Sequence, residues 1–316
     1  MQTRPLGATG LAIAPLVFGG NVFGWTADEK RSFELLDAFV DAGFNAIDTA
    51  DVYSRWVPGH QGGESETLIG RWLKANPAKR AKVLVFTKVG GDMGRGKTLA
   101  PEWIAQAAED SLRRLGIDTI DLYQSHWPDD ATPHEQTLRA YEALIRAGKV
   151  RAIGCSNFDA PRLAAALQAG RAAGLPLYAT LQPEYNLVAR DAYEGPLREL
   201  AIREGLGVIT YFSLASGFLT GKYRSQADLG GSARGGGVKK YLDARGLRVL
   251  AALDAAAAAH GARPAEVALA WLMARAGVTA PIASATSVEQ LQGFARAAGL
   301  RLAADEIRAL DAAGAA

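Results

Sequence analysis

Cysteine is nearly absent from this chain: Cys155 stands alone among 316 residues. A single cysteine closes no internal disulfide and excludes a cysteine-ligated metal site. Histidine is scarce as well. His60, His126, His134 and His260 are scattered without the short spacings that metal ligands keep, so no metal site is expected. An excess of either charge is also missing. A net charge of +2 argues against a dedicated nucleic-acid or membrane-surface binder, while leaving room for one small anionic ligand. No apolar run is long enough to cross a bilayer, and the opening Met1-Gln2-Thr3-Arg4-Pro5 lacks the apolar core of a signal peptide. A cytoplasmic protein is the expectation that remains. Nothing in the residues sets an oligomeric state.

What is present has the composition of a globular protein, 49% hydrophobic and 22% charged. Arg4 to Gly7 and Leu11 to Ile13, flanking a turn at Ala8-Thr9-Gly10, read as a small hairpin. Short buried-type runs then recur at Leu16 to Phe18, Ala46-Ile47, Val83 to Phe86, Ile120 to Tyr123, Val150 to Ile153, Tyr178 to Leu181, Val208 to Tyr211 and Val278 to Ala283. Amphipathic helical stretches separate them, among them Ser32 to Ala42, Glu102 to Leu115, Glu135 to Ala147 and Pro161 to Ala169. Eight such alternations predict an α/β fold, a closed (β/α)8 TIM barrel with an N-terminal β-hairpin and extra helices after strand 7 and at the C-terminus. An open doubly wound sheet is the alternative, but no switch point marks one. A barrel of this length is one domain, so residues 1–316 are expected to form a single unit. Two segments interrupt the alternation: Trp56 to Gly63, and the glycine-rich stretch Arg224 to Lys240, which carries Arg234 and reads either as a lid or as disorder.

Four polar residues close the early strands. Asp48 and Tyr53 follow Phe44 to Ile47, Lys88 ends Val83 to Thr87, and His126 ends Ile120 to Ser125. Side by side, these strands bring an acid, a phenol, an ammonium and an imidazole to one rim, a set suited to moving a proton onto a carbonyl oxygen. An Asp48–Lys88 pair alone would read as a structural salt bridge, since buried charges need partners. Tyr53 and His126 at the same rim weaken that reading, because the C-terminal rim of a parallel barrel is where chemistry resides.

The chain resembles the aldo-keto reductases. The resemblance runs almost end to end through Gly43-Phe44-Asn45-Ala46-Ile47-Asp48-Thr49-Ala50 with Tyr53, Gly63-Glu64-Ser65-Glu66, Thr87-Lys88-Val89, Ser111 to Leu115, His126-Trp127-Pro128, Gly154-Cys155-Ser156-Asn157-Phe158, Gln182 to Asn186 and Leu219-Thr220-Gly221-Lys222. It implies a reductase of aldehydes and some ketones that uses NADPH, with NADH possible. Tyr53 would be the proton donor, Lys88 would lower its pKa, Asp48 would balance Lys88, and His126 would orient the carbonyl. Two other readings stand beside it: a cofactor-binding regulatory subunit on the same fold, and a sugar or alcohol dehydrogenase running in oxidation.

For the cofactor, the resemblance implies Ser156, Asn157 and Gln182 at the nicotinamide amide and Tyr211 stacked on its ring. The following Tyr211-Phe212-Ser213-Leu214 departs from the family's Tyr-Ser-Pro-Leu, so the pyrophosphate loop is expected to take its own path through Leu214, Gly217 and Lys222. At the adenosine end, Ser284, Thr286 and Ser287 stand where the family often has a cation. With the amides of the helix starting near Val288 they are expected to hold a 2′-phosphate with modest preference, and Gln290 matches a residue that the family uses on the adenosine. Phe294 stands where Asn is frequent. Trp25, Trp56 and Trp127 are candidates for an apolar pocket wall around a small-molecule carbonyl substrate. No long tail follows the last helix, Asp305 to Ala312, which suggests an open site with broad aldehyde acceptance.

One motif misleads. Gly91-Asp92-Met93-Gly94-Arg95-Gly96-Lys97-Thr98 matches the Walker A pattern and follows a strand. A true P-loop begins its helix at the Lys and Thr. Here Pro101 pushes Ala100 out of helical geometry and fits better as the first residue of the next helix. The segment therefore reads as a glycine-rich loop without nucleotide-phosphate function.

Overall fold

The computed structural model describes residues 1–231 and 235–315. Strands β1 (Arg4–Pro5) and β2 (Ala12–Ile13) pair antiparallel as the hairpin. Eight parallel strands follow: β3 (Val17–Gly19), β4 (Ala46–Asp48), β5 (Leu84–Val89), β6 (Ile120–Ser125), β7 (Val150–Ser156), β8 (Thr180–Gln182), β9 (Gly207–Thr210) and β10 (Ala280–Ala283). They lie in chain order, and β10 closes the barrel by pairing with β3. The eight alternations in the sequence thus form one closed sheet with helices between the strands, and the open doubly wound sheet is excluded.

Period-two alternation sorts each strand. Val17, Ala46, Phe86, Leu122, Ala152, Ile209 and Ala280 form one cluster in the barrel interior, while Phe18, Ile47, Val85 and Tyr123 pack toward the helices. Leu6, Leu11 and Ile13 of the hairpin join the interior cluster, so the hairpin plugs the end where the strands begin. Gly7 there runs against Ala179 and Gly207, where a Cβ would meet backbone at 2.5 and 2.4 Å.

Helix starts follow their local chemistry. Asp28, Asp159, Asp243 and Ser287 each accept a backbone N–H in the first turn of the following helix, and Pro101 opens the Pro101–Leu115 helix. The expected extra helices are Ala244–His260, after the seventh barrel strand, and Ala304–Gly314, which packs on it. In the glycine-rich stretch, Gln226–Gly231, Gly235–Val238 and Lys239–Tyr241 form short helical turns, Val238 and Tyr241 enter the core, and Arg224 pairs with Asp254. Arg234 lies outside the described residues.

The Glu64–Ala75 and Pro101–Leu115 helices meet closely at Gly70, where a Cβ would come within 2.2 Å of the Arg114 carbonyl oxygen. Gly70→Ala must push backbone against backbone, at about 1–3 kcal/mol. Thermal unfolding should show a melting temperature several degrees lower; an unchanged midpoint would mean the two helices have slack at this crossing.

Candidate active site

The apolar interior layer ends one pleat below the C-terminal rim. Two residues beyond Ala46, Phe86, Leu122 and Thr180 on the same face come Asp48, Lys88, Gln124 and Gln182. All four are buried, with Lys88 at 0% and Asp48 at 1% exposure. Lys88 Nζ donates to Asp48 Oδ2 at 2.6 Å, to the Thr49 carbonyl at 2.7 Å and to Tyr53 Oη at 3.0 Å, which uses all three of its protons. The other Asp48 oxygen accepts from Gln182 Nε2 at 2.9 Å and Gln124 Nε2 at 3.3 Å.

Tyr53 stands on the turn after β4, held there because Ser54, at φ 73°, donates its hydroxyl to the Phe23 carbonyl at 2.6 Å. Its ring lies 5.9 Å from that of His126 and 6.0 Å from that of Trp56. His126 follows β6 directly and is fixed through its backbone, its N–H donating to Val89 and its carbonyl accepting from Asn157 Nδ2 at 2.8 Å. The four residues named from the sequence are therefore brought together. Lys88 lies inside β5 rather than at its end, because pairing with β6 continues to Val89.

Burial raises the Tyr53 phenol above its ordinary value, and Asp48 adds to the rise, while Lys88 pulls the other way. The lowering by Lys88 is present but smaller than the push of burial. Burial opposes the charge on Lys88 itself, yet Asp48 and Tyr53 together hold the ammonium above its usual range. Burial, then Lys88 and Lys97, drive His126 well below its usual value, so the imidazole is neutral at neutral pH. Its Nδ1 has no hydrogen-bond partner among the described residues.

A cavity of about 910 Å³ opens from this group. Asp48, Tyr53, His126, Trp56 and Trp127 line one end. Trp25 does not line it; it stands behind, edge-on to Trp56 at 5.7 Å. Ser156, Asn157, Gln182 and Tyr211 form the middle wall, tied to one another. Ser156 Oγ donates to the Gln182 carbonyl at 2.7 Å, and Tyr211 Oη donates to Asn157 Oδ1 at 2.7 Å. Phe212, Ser213, Leu214, Gly217 and Lys222 continue the wall. The Ser213 hydroxyl is turned inward to the Thr210 carbonyl at 3.0 Å. Phe212, Ala215 and Ser216 all have φ between 47° and 57°, so the loop after Tyr211 turns through left-handed backbone.

At the far end the hydroxyls named for a phosphate are already engaged. Ser284 Oγ lies 2.7 Å from the Gly19 carbonyl and 2.6 Å from the Asn21 amide. Thr286 donates its N–H to Gln290 Oε1 at 2.8 Å. Ser287 caps the Val288–Gly299 helix and does not line the cavity. What sequence reading missed is a cation: Arg263 lines this end, paired at 2.7 Å with Glu289. Arg263 directly before Pro264 at a helix start was the available signal, but its position beside the Val288–Gly299 helix is set by tertiary packing.

Among the described residues, no group of three His, Cys, Asp or Glu side chains is placed to hold a metal, and no helix is long and apolar enough to cross a membrane.

The sequence model of the Aldo/keto reductase family matches residues 15–315. An uncharacterized oxidoreductase of Bacillus subtilis (strain 168), YrpG, is 34% identical over 98% of this chain and 95% of its own length. Aldo-keto reductase AMT2 of Alternaria alternata is 30% identical over 96% of this chain and 89% of its own. A probable voltage-gated potassium channel subunit beta of Arabidopsis thaliana is 32% identical over 92% of this chain and 89% of its own. The chain belongs to the aldo/keto reductase family. It is an NAD(P)H-dependent oxidoreductase of the kind that acts on small-molecule carbonyl compounds.

Behind the tetrad lies a buried acid. Asp51 donates its N–H to the Lys88 carbonyl, yet neither of its carboxyl oxygens has a hydrogen-bond partner among the described residues. Glu66, held by Arg114 at 2.7 Å and Thr87 at 2.5 Å, is its charged neighbour. Burial, then Glu66, push the Asp51 carboxyl well above the usual carboxylate range, against the pull of Arg114. The sign follows from linkage. As pH rises from about 4, the unfolded chain releases this proton while the native protein keeps it, so stability falls with pH through this window. Asp51→Asn removes that loss. Its stability relative to wild type should rise between about pH 5 and 8 in denaturant titrations. A difference independent of pH would mean the native carboxyl is ionised.

Proposed function

We propose that this chain, one barrel domain acting in the cytoplasm, reduces aldehydes and some ketones to alcohols with NADPH, Tyr53 giving the proton. The observation that carries the reading is the Asp48–Lys88–Tyr53 hydrogen-bond chain opening, beside neutral His126, onto a cavity of about 910 Å³. That volume lies near the upper end of the roughly 300–1,000 Å³ typical of ligand pockets, which suits a dinucleotide and a small substrate together.

A reduced nicotinamide bound at Tyr211 would supply the hydride. Tyr53, protonated because burial holds its pKa high, donates to the carbonyl oxygen. The phenolate that remains is 3.0 Å from Lys88 Nζ, and that ammonium keeps its proton because Asp48 faces it. His126, neutral, can donate an N–H to the same oxygen and orient it without adding charge. Ser156, Asn157 and Gln182 would hold the carboxamide, and the backbone from Leu214 to Gly217 with Lys222 the pyrophosphate. Arg263 would meet a 2′-phosphate, but Glu289 competes for it, which keeps the preference over NADH modest.

A second reading is favoured by the channel-subunit names among the relatives: a cofactor-binding regulatory subunit without useful turnover. Physiological oxidation of a sugar or alcohol would use the same residues in reverse.

Two measurements test the proposal. Tyr53→Phe should lower carbonyl-dependent NADPH oxidation by about 10²–10⁴-fold while cofactor still quenches tryptophan fluorescence; turnover near wild type would remove Tyr53 as the acid. In the same titration NADPH should bind more tightly than NADH by no more than about tenfold, and Arg263→Ala should erase most of that difference. A preference of several orders of magnitude would place a stronger cation at the phosphate.

A further inference from the structure

The loop between β5 and the Pro101–Leu115 helix leaves the C-terminal end of β5 beside the cavity without lining it. It packs on the Trp56–Gly63 insertion, where Met93 reaches within 2.8 Å of the position a Cβ on Gly62 would occupy. Asp92 ties the loop down. Its Oδ1 accepts from Gly94 N at 2.8 Å and Gly96 N at 3.0 Å, with both glycines at positive φ. Arg55, from the turn after Tyr53, pairs with the same carboxylate at 3.6 Å. The loop so held presents two further cations. Arg95 lies over the Trp103 ring at 5.2 Å. Lys97 lies over the Trp127 ring, its Nζ 3.7 Å from the centroid. Trp127 in turn lies 5.9 Å from His126 at a shallow 22° and lines the cavity.

Lys97 is exposed, and among the described residues no carboxylate pairs with it. The acids nearby are engaged elsewhere. Asp92 holds its own loop, Asp129 accepts from Leu99, Ala131, Thr98 and Thr132, Asp130 pairs with Arg162, and Glu64 accepts from Gln61 and Gly62. Lys97 is also close enough to depress the basicity of His126. An unpaired ammonium on an aromatic wall, next to the residue that would orient the carbonyl, is placed to receive an anion attached to the substrate.

We propose that the preferred carbonyl substrates of this site carry a carboxylate or phosphate, received by Lys97 above Trp127 at the cavity mouth. This rests on the reductase reading, and it narrows the broad aldehyde acceptance expected from the sequence to anionic carbonyl compounds. It also gives a role to the Walker-like segment: the loop presents its lysine to the substrate's anion at the rim.

The test compares 4-carboxybenzaldehyde with its neutral methyl ester, and glyceraldehyde 3-phosphate with glyceraldehyde, in NADPH-dependent turnover. The wild-type kcat/KM ratio should favour the anion by about five- to tenfold, the scale of one partly screened charge pair, and should shrink in about 0.5 M NaCl. The pair with the larger ratio identifies carboxylate or phosphate as the group received. Lys97→Met, which keeps the stem over Trp127, should bring the ratio to about one, and Lys97→Arg should restore it. A wild-type ratio near one, or a ratio that survives in Lys97→Met, would overturn the proposal. Binding of 4-(hydroxymethyl)benzoate to the NADPH-loaded protein, followed by tryptophan fluorescence, reads Lys97 without turnover. If no carbonyl compound is reduced, the reductase reading falls. In that case weaker binding to Lys97→Met still supports the anion site, and equal binding overturns it.

Discussion

The Asp48–Lys88 ion pair is the constraint around which the site is built. Both groups are buried, and moving an ion out of water costs several kcal/mol unless its partners are near ideal. Here they are near ideal: a 2.6 Å contact, with the remaining protons and lone pairs satisfied by Thr49, Tyr53, Gln124 and Gln182. Removing either partner would leave a naked buried charge, so β4 and β5 must be neighbours in register and Tyr53 must take the last Lys88 proton. The apolar layer beneath, from Ala46, Phe86, Leu122 and Ala152, withholds water from the pair's lower side. Structure and chemistry are therefore one requirement: the geometry that makes the pair tolerable is the geometry that puts a phenol beside an ammonium.

Most of this was legible because it depends on period and order. Eight runs of buried type, each followed by a helical stretch, allow few closures, and a polar residue one pleat beyond an apolar one must lie at the rim. Strand limits were less legible, because pairing sets them. Tyr178 and Val278 look like strand residues, but β8 begins at Thr180 and β10 at Ala280, and the Tyr178 hydroxyl turns aside to Ser125 at 2.7 Å. Contacts between helices were not legible at all. Arg263 and Glu289 are 26 positions apart on separate helices, so the cation at the far end of the cavity was invisible beside the nearby run of hydroxyls. Trp25 was placed at the pocket by nearness in sequence, whereas Trp56 stands in front of it. Asp51 carries no signal in the sequence, and only the fold shows its buried carboxyl without a hydrogen-bond partner among the described residues.

The segment after Tyr211 shows how a local departure carries cost. Non-glycine residues at positive φ are held only where their surroundings over-determine them. Phe212 is held from both sides: its carbonyl accepts from Ala215 N at 2.6 Å and from Asn186 Nδ2 at 2.9 Å. Positive φ recurs at Ser54, beside Tyr53, and at Asn157, while Asp48 and Lys88 sit on regular strands and His126 directly follows one. The cavity thus joins an end built largely on strands to a wall shaped by loops.

The Gly91–Thr98 loop makes the complementary point, that equal letters do not make equal chemistry. A phosphate-binding loop leaves its backbone amides free and begins a helix at its lysine, so that amides and helix dipole converge on the anion. In this chain the amides of Gly94 and Gly96 already converge, but on the Asp92 carboxylate of the same loop, and that acid's pKa is lowered as a consequence. The helix begins only at Pro101, after Ala100 in extended geometry, so Lys97 and Thr98 lie outside its first turn. With its amides closed upon itself, the loop has side chains alone to offer an anion. Of its two cations, Lys97 is the one set beside the wall of the catalytic cavity. The internal anion that occupies these amides also ties down the loop that carries Lys97.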